Sequence, residues 1–88
     1  MTQQQSQIVI ENIVREQWGQ ILAILIGYVK DFSLAEDVLQ DAVVAALQHW
    51  EKEGIPKSPR AWLLQTARRK AIDRFRRNAN FEKKTGRN

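Results

Sequence analysis

Apolar side chains fall at Ile10, Val14, Trp18, Ile21, Leu25 and Tyr28, in steps of three and four that draw one stripe along a helix. The spacing predicts a first helix from about Ile8 to Lys30. Gly19 and Gly27 lie inside it, each costing up to about 1 kcal/mol relative to alanine, so its last turn is expected to bend or fray near Gly27. The next segment opens on Ser33-Leu34-Ala35-Glu36, a capping box in which serine and glutamate side chains each cover a backbone N–H of the other. It predicts a second helix reaching about Trp50. Leu34, Val38, Leu39, Ala42, Val43, Ala45, Ala46, Leu47 and Trp50 cover more than half of its circumference, which a single neighbour cannot bury. Two neighbours are needed, as in a bundle.

The stretch EKEGIPKSP that follows carries Gly54, Pro56 and Pro59 and cannot continue a helix. Ser58 before Pro59 has the form of an N-cap followed by a first-turn proline. A third helix is expected from there to about Arg77, with Leu64, Ala67, Ala71 and Phe75 facing the core. The closing NANFEKKTGRN shows no periodicity and reads as a solvated tail or the start of a linker. The fold expected is all-α, a small bundle of three to four helices without a sheet, formed by residues 1–78, with 79–88 as the tail. At 88 residues the chain has room for one modest core.

Composition agrees with a folded helical domain: 43% of residues are hydrophobic and 27% charged, with four glycines and two prolines. Cysteine is absent, which removes disulfides and thiolate metal clusters and points to a reducing, cytoplasmic setting. The N-terminal MTQQQSQ lacks the basic and apolar regions of a secretory signal. The longest apolar stretch, Ile21 to Val29, is far short of the roughly 20 residues that cross a bilayer, so no membrane partner is expected.

Charge changes the picture more. Residues 1–58 hold eight acids and four bases, net −4, whereas residues 59–88 hold ten bases and two acids, net +8. Two partners of opposite sign are implied, because a field that attracts a polyanion at one end repels it at the other. ARRKAIDRFRR (67–77) sets Arg68, Arg69, Lys70, Arg74, Arg76 and Arg77 against Asp73 alone. A helical wheel places Trp62, Thr66, Arg69, Asp73 and Arg76 on one line away from the core, flanked by Gln65, Lys70 and Arg77. This face is either a solvated one with Asp73 pairing with Arg69 and Arg76, or a surface that holds a phosphate backbone while an aromatic stacks on unpaired bases. Trp62 fits that stacking role and fits packing against a neighbouring helix equally well.

On the second helix Asp37, Gln40, Asp41, Val44 and Gln48 form a stripe opposite the apolar side. It is either solvated or a docking face for a basic helix. A metal is disfavoured: the single histidine, His49, points elsewhere and calcium loops use another spacing. With no cysteine, one histidine and no glycine-rich phosphate loop, no catalytic residue and no cofactor are assigned, and the chain is expected not to be an enzyme.

Taken together, DFSLAEDVLQDAVVAALQHW, the Gly/Pro loop and SPRAWLLQTARRKAIDRFRR resemble region 2 of the sigma-70 family in its extracytoplasmic-function (ECF) branch. That branch typically shows AED-x-x-Q-[DE], a loop, P-x-AWL and a basic helix ending I-D-x-x-R-R. Here these are Ala35, Glu36, Asp37, Gln40 and Asp41; Pro59, Ala61, Trp62 and Leu63; and Ile72, Asp73, Arg76 and Arg77. The resemblance spans about residues 8 to 78, and order and spacing make it specific.

It implies a sigma-factor domain in transcription initiation. Asp37, Gln40, Asp41, Val44 and Gln48 would bind the β′ coiled coil of RNA polymerase core. Trp62, Arg69, Lys70, Arg76 and Arg77 would hold the non-template single strand of the promoter −10 element. The loop Glu53, Gly54, Ile55, Pro56, Lys57 and Ser58 would capture a base, and Asp73 would orient the arginines. An anti-sigma factor is a further partner the resemblance allows, and a monomer is the default. Many ECF members carry asparagine where Arg69 stands, which bears on −10 base preference. No helix-turn-helix follows residue 78, so the domain reads as an isolated region 2. The alternatives are a generic helical nucleic-acid-binding protein with a solvated acidic helix, and an adaptor bundle without a nucleic-acid role.

Overall fold

The computed structural model describes residues 2–86, with side chains described for 5–77. It contains three helices, α1 (Thr2–Val29), α2 (Phe32–Glu53) and α3 (Pro59–Gly86), and no strand among the described residues. α2 packs against both α1 and α3, which also touch each other, as its wide apolar face requires. Among the described residues no helix is long and apolar enough to cross a membrane.

The helix boundaries follow from local chemistry. α1 runs through Gly27 without fraying; it ends where Lys30 turns into the left-handed region at φ 60° and its N–H donates to the Ile26 carbonyl at 2.7 Å. The cap of α2 is Asp31, not Ser33. Asp31 is extended (φ −156°, ψ 113°) and its Oδ1 accepts from the Leu34 N–H at 3.0 Å. With only Lys30 and Asp31 between α1 and α2, the first extended residue after the reversal takes the cap, leaving Ser33 inside the first turn. α2 runs one turn past Trp50 and stops at Gly54, whose φ of 94° and ψ of 164° suit only glycine, and whose N–H donates to the Trp50 carbonyl at 2.9 Å. The expected start of α3 holds: Ser58 Oγ accepts from the Ala61 N–H at 3.3 Å and Pro59 takes the first position. α3 then continues well beyond Arg77 to Gly86, since neither proline nor glycine interrupts Arg60 to Thr85. The solvation expected of residues 79–88 lies outside the described side chains.

The core is built from Ile10, Ile13, Ile21, Leu22, Leu25 and Val29 of α1, Ala35, Val38, Leu39, Ala42, Ala46 and Trp50 of α2, and Leu63, Ala67 and Ala71 of α3. Four expected core residues are on the outside instead, one of them Leu47, at the edge of the α2 face. Val14 and Tyr28 are exposed because α1 turns its Ile13 and Val29 edge inward, and Tyr28 sits at the rim beneath the Arg68 guanidinium, 4.5 Å from the ring centre. Phe75 is 45% exposed. Tyr28, near the end of α1, meets Arg68 and Ile72, so Phe75, one turn further along α3, lies past the end of α1 while Ala71 and Arg74 still face α2.

Because Asp31 and not Ser33 carries the cap, Asp31→Ala should lower the unfolding free energy by about 1 kcal/mol, and Ser33→Ala by no more than a few tenths. Urea titration followed by helical circular dichroism separates the two.

Candidate functional site

α2 and α3 run antiparallel: His49 and Trp50, late in α2, meet Trp62, early in α3, while Asp37 and Asp41, early in α2, meet Arg74, three turns further along α3. This arrangement puts the acidic stripe and the basic helix side by side.

On α2, Asp37, Gln40, Val44 and Gln48 are exposed and Asp41 is half-buried, so the predicted stripe is a real surface. Val44, 53% exposed, is an apolar spot among polar neighbours. The stripe is nevertheless not free of cations. Arg74 Nη2 lies 2.8 Å from Asp41 Oδ2 and its Nη1 lies 3.4 Å from Asp37 Oδ2. These are the two ion pairs within 4 Å among the described residues. Asp73, expected to pair with Arg69 and Arg76 along its own helix, makes neither contact; it lines a cleft of about 370 Å³ with Asp41, Lys70, Arg74 and Arg77.

On α3, Arg69, Arg76 and Arg77 are exposed and Lys70 is half-buried. Trp62 is half-buried and packs against a neighbouring helix, one of the two readings open for it. It stands edge-on to the fully buried Trp50 at 5.2 Å between ring centres, and it also walls an open groove of about 460 Å³. His49 tilts over it at 30°, 5.7 Å between centres, and Ala45, Gln48, Lys52, Thr66 and Arg69 complete the lining. An aromatic wall flanked by a lysine and an arginine is the chemistry that unpaired bases and their phosphates use. The structure thus brings Trp62 and Arg69 into one groove and leaves Arg76 and Arg77 further along α3.

The loop residues Glu53 to Ser58 join these faces. Glu53, Ile55, Lys57 and Ser58 are exposed, while Gly54 and Pro56 are half-buried. Lys57 and Ser58 border a second depression of about 370 Å³ against Val9, Asn12, Ile13 and Gln17 of α1. No group of three or more histidine, aspartate or glutamate side chains that could hold a metal occurs among the described residues.

Three residues of these faces escaped the sequence reading. The sequence sets His49 aside and puts Lys52 in the loop after Trp50, whereas α2 runs on to Glu53 and the two stand one turn apart next to Trp50 in one groove with Trp62. In the sequence Arg74 is one unbalanced cation among the six of residues 67–77. Yet it is three residues after Ala71 and seven after Ala67, so it continues the buried seam of α3, where a cation must find a carboxylate.

A family model described as Sigma-70 region 2 matches residues 13–81. Among curated proteins the chain is similar to an uncharacterized protein, R00370, of Rhizobium meliloti (strain 1021), with 37% identity over 60 residues. That match covers 68% of this chain but only 14% of the relative, so the chain corresponds to a small part of that protein's length. No solved structure matches.

Ion pairs between side chains this exposed contribute roughly 0–1 kcal/mol each. Arg74→Gln, which removes both, should therefore leave the helical circular dichroism spectrum unchanged and lower the unfolding free energy by no more than about 2 kcal/mol in a urea titration.

Proposed function

Because the chain belongs to the sigma-70 region 2 family, a domain of sigma factors in transcription initiation, we propose that it joins RNA polymerase core to the melted −10 element as a region 2 of the ECF branch. The single observation that carries this reading is the antiparallel α2–α3 pair, which presents exposed carboxylates on one helix and a cation-lined aromatic groove between the two. Asp37, Gln40, Asp41, Val44 and Gln48 face the β′ coiled coil. Carboxylates and amides there meet basic side chains while Val44 adds a small apolar contact.

The non-template strand lies along α3. Arg69, Lys70, Arg76 and Arg77 hold its backbone, with the counterion release that makes such binding salt-dependent. Trp62, with His49 and Lys52 from α2, supports a base and its phosphate. The loop from Glu53 to Ser58 shapes the pocket for a captured base, with Gly54 fixing the sharp turn that opens it. Asp73, which pairs with no arginine, acts through the potential of its cleft rather than by orienting Arg69 or Arg76. The functional domain is placed at residues 1–78, with 79–88 leading out of it, and the nucleotide chemistry belongs to the polymerase.

Two measurements test the two halves. Asp37→Asn together with Gln40→Ala, which spares the short Arg74–Asp41 contact, should weaken binding to a β′ coiled-coil fragment by at least about tenfold; unchanged affinity would return the acidic stripe to a solvated face and favour the generic nucleic-acid-binding alternative. For the strand, the protein should prefer single-stranded −10 non-template DNA to duplex, and log affinity should fall linearly with log salt. Arg69→Glu with Arg76→Glu should flatten that slope by about 1 to 2. Salt-independent binding, or none, removes the DNA half.

A further inference from the structure

The buried seam of α3, Leu63, Ala67 and Ala71, runs on into Arg74, and Arg74 ends on the face of a different helix. Its two terminal nitrogens each reach one carboxylate, Nη2 to Asp41 at 2.8 Å and Nη1 to Asp37 at 3.4 Å, using Oδ2 in both cases. The side chains stay accessible, 35% for Arg74, 60% for Asp37 and 47% for Asp41, so an arriving cation can reach the same oxygens. Lys70, Asp73 and Arg77 border the cleft beside Asp41 and Arg74, and none of them forms an ion pair. Asp37 and Asp41 together carry two negative charges, and Arg74 leaves one uncompensated.

We propose that Arg74 is an internal counter-ion that competes with a partner's basic side chains for Asp37 and Asp41, and thereby sets both the affinity and the selectivity of the acidic face. The proposal rests on the reading of that face as the polymerase-binding surface. A partner that offers a lone lysine exchanges one cation for another and gains little. A partner helix with two cations at helical spacing, or an arginine that forks onto the unused Oδ1 atoms, gains more than it displaces. Arg74 therefore acts against partners of low charge density as much as it tempers the right one, which is how a repulsive element sharpens discrimination. It touches no reacting atom; it shapes the potential that the partner meets.

The test uses this chain with Arg74→Gln, Arg74→Met and Arg74→Lys, titrated against a β′ coiled-coil fragment at low and high salt, with circular dichroism to verify folding. Both neutral variants should bind about three- to tenfold more tightly than wild type at low salt, and the gain should vanish near 1 M salt, where the screening length is only about 3 Å. Arg74→Met keeps the aliphatic stem against the seam, so agreement between the two neutral variants excludes a packing effect. Arg74→Lys should fall between wild type and the neutral variants, because it retains the competing charge but loses the fork that reaches both carboxylates. In an Asp41→Asn background the gain from Arg74→Gln should shrink below about twofold, since the short contact is already gone. Equal or weaker binding by the neutral variants, with wild type binding normally, overturns the proposal and leaves the functional reading in place. Failure of wild type and variants alike to bind the coiled coil overturns the functional reading, and the proposal with it.

Discussion

The close contact between α2 and α3 governs everything else in this small bundle. Both helices are rich in buried alanines, with Ala35, Ala42 and Ala46 on α2 and Ala67 and Ala71 on α3 all fully buried. Small side chains let two helix axes approach, and what lies at the ends of the seam is then forced together. At one end the seam closes on Trp50 and Trp62, edge to face at 5.2 Å. At the other it closes on Arg74 and the Asp37/Asp41 pair. A large residue at the middle of the seam would push both ends apart, so the aromatic groove and the ion-pair cluster depend on the same row of methyl groups.

The α2–α3 seam also explains what could be read from the sequence and what could not. Patterns confined to one helix were legible: the Ser58-Pro59 start of α3, the need of α2 for two neighbours, and the exposure of Asp37, Gln40, Val44 and Gln48 all follow from spacing within one element. Features that depend on the register between helices were not. Phe75 has helical spacing from Ala71 and is still exposed, because α1 ends before that turn of α3 is reached. Arg74 pairs over 33 and 37 positions of sequence, a distance no single-helix wheel contains. The cap of α2 failed for a related reason. A capping box at Ser33 is locally sound, but the reversal through Lys30 at φ 60° delivers an extended Asp31 first, and the earliest eligible oxygen takes the free N–H.

Charge separation along the sequence turns out to be adjacency in space. The halves carrying −4 and +8 fold back so that the first turns of α2 lie beside Arg74, just past the middle of α3. Two charged faces this near each other interact well within the roughly 10 Å screening length at 0.1 M salt. The acidic stripe is thus weaker, and the basic helix less repelled by its own charges, than either would be alone. Five cations of the 67–77 segment remain outside these ion pairs, and one of them, Arg68, lies over the Tyr28 ring.

A single cation on such a border also limits how the bundle can be altered. Reversing Asp41 would set two like charges at the 2.8 Å contact and push α3 outward there, so a loss of partner binding in that variant would mix geometry with charge. Neutralising Arg74 has no such ambiguity, because it removes a charge from the edge of a seam that alanines and Leu63 already hold. The packing of α2 against α3 and the potential they present are separable at this one position: the methyl groups fix the distance between the helices, and Arg74 sets how much of the carboxylate field reaches solvent.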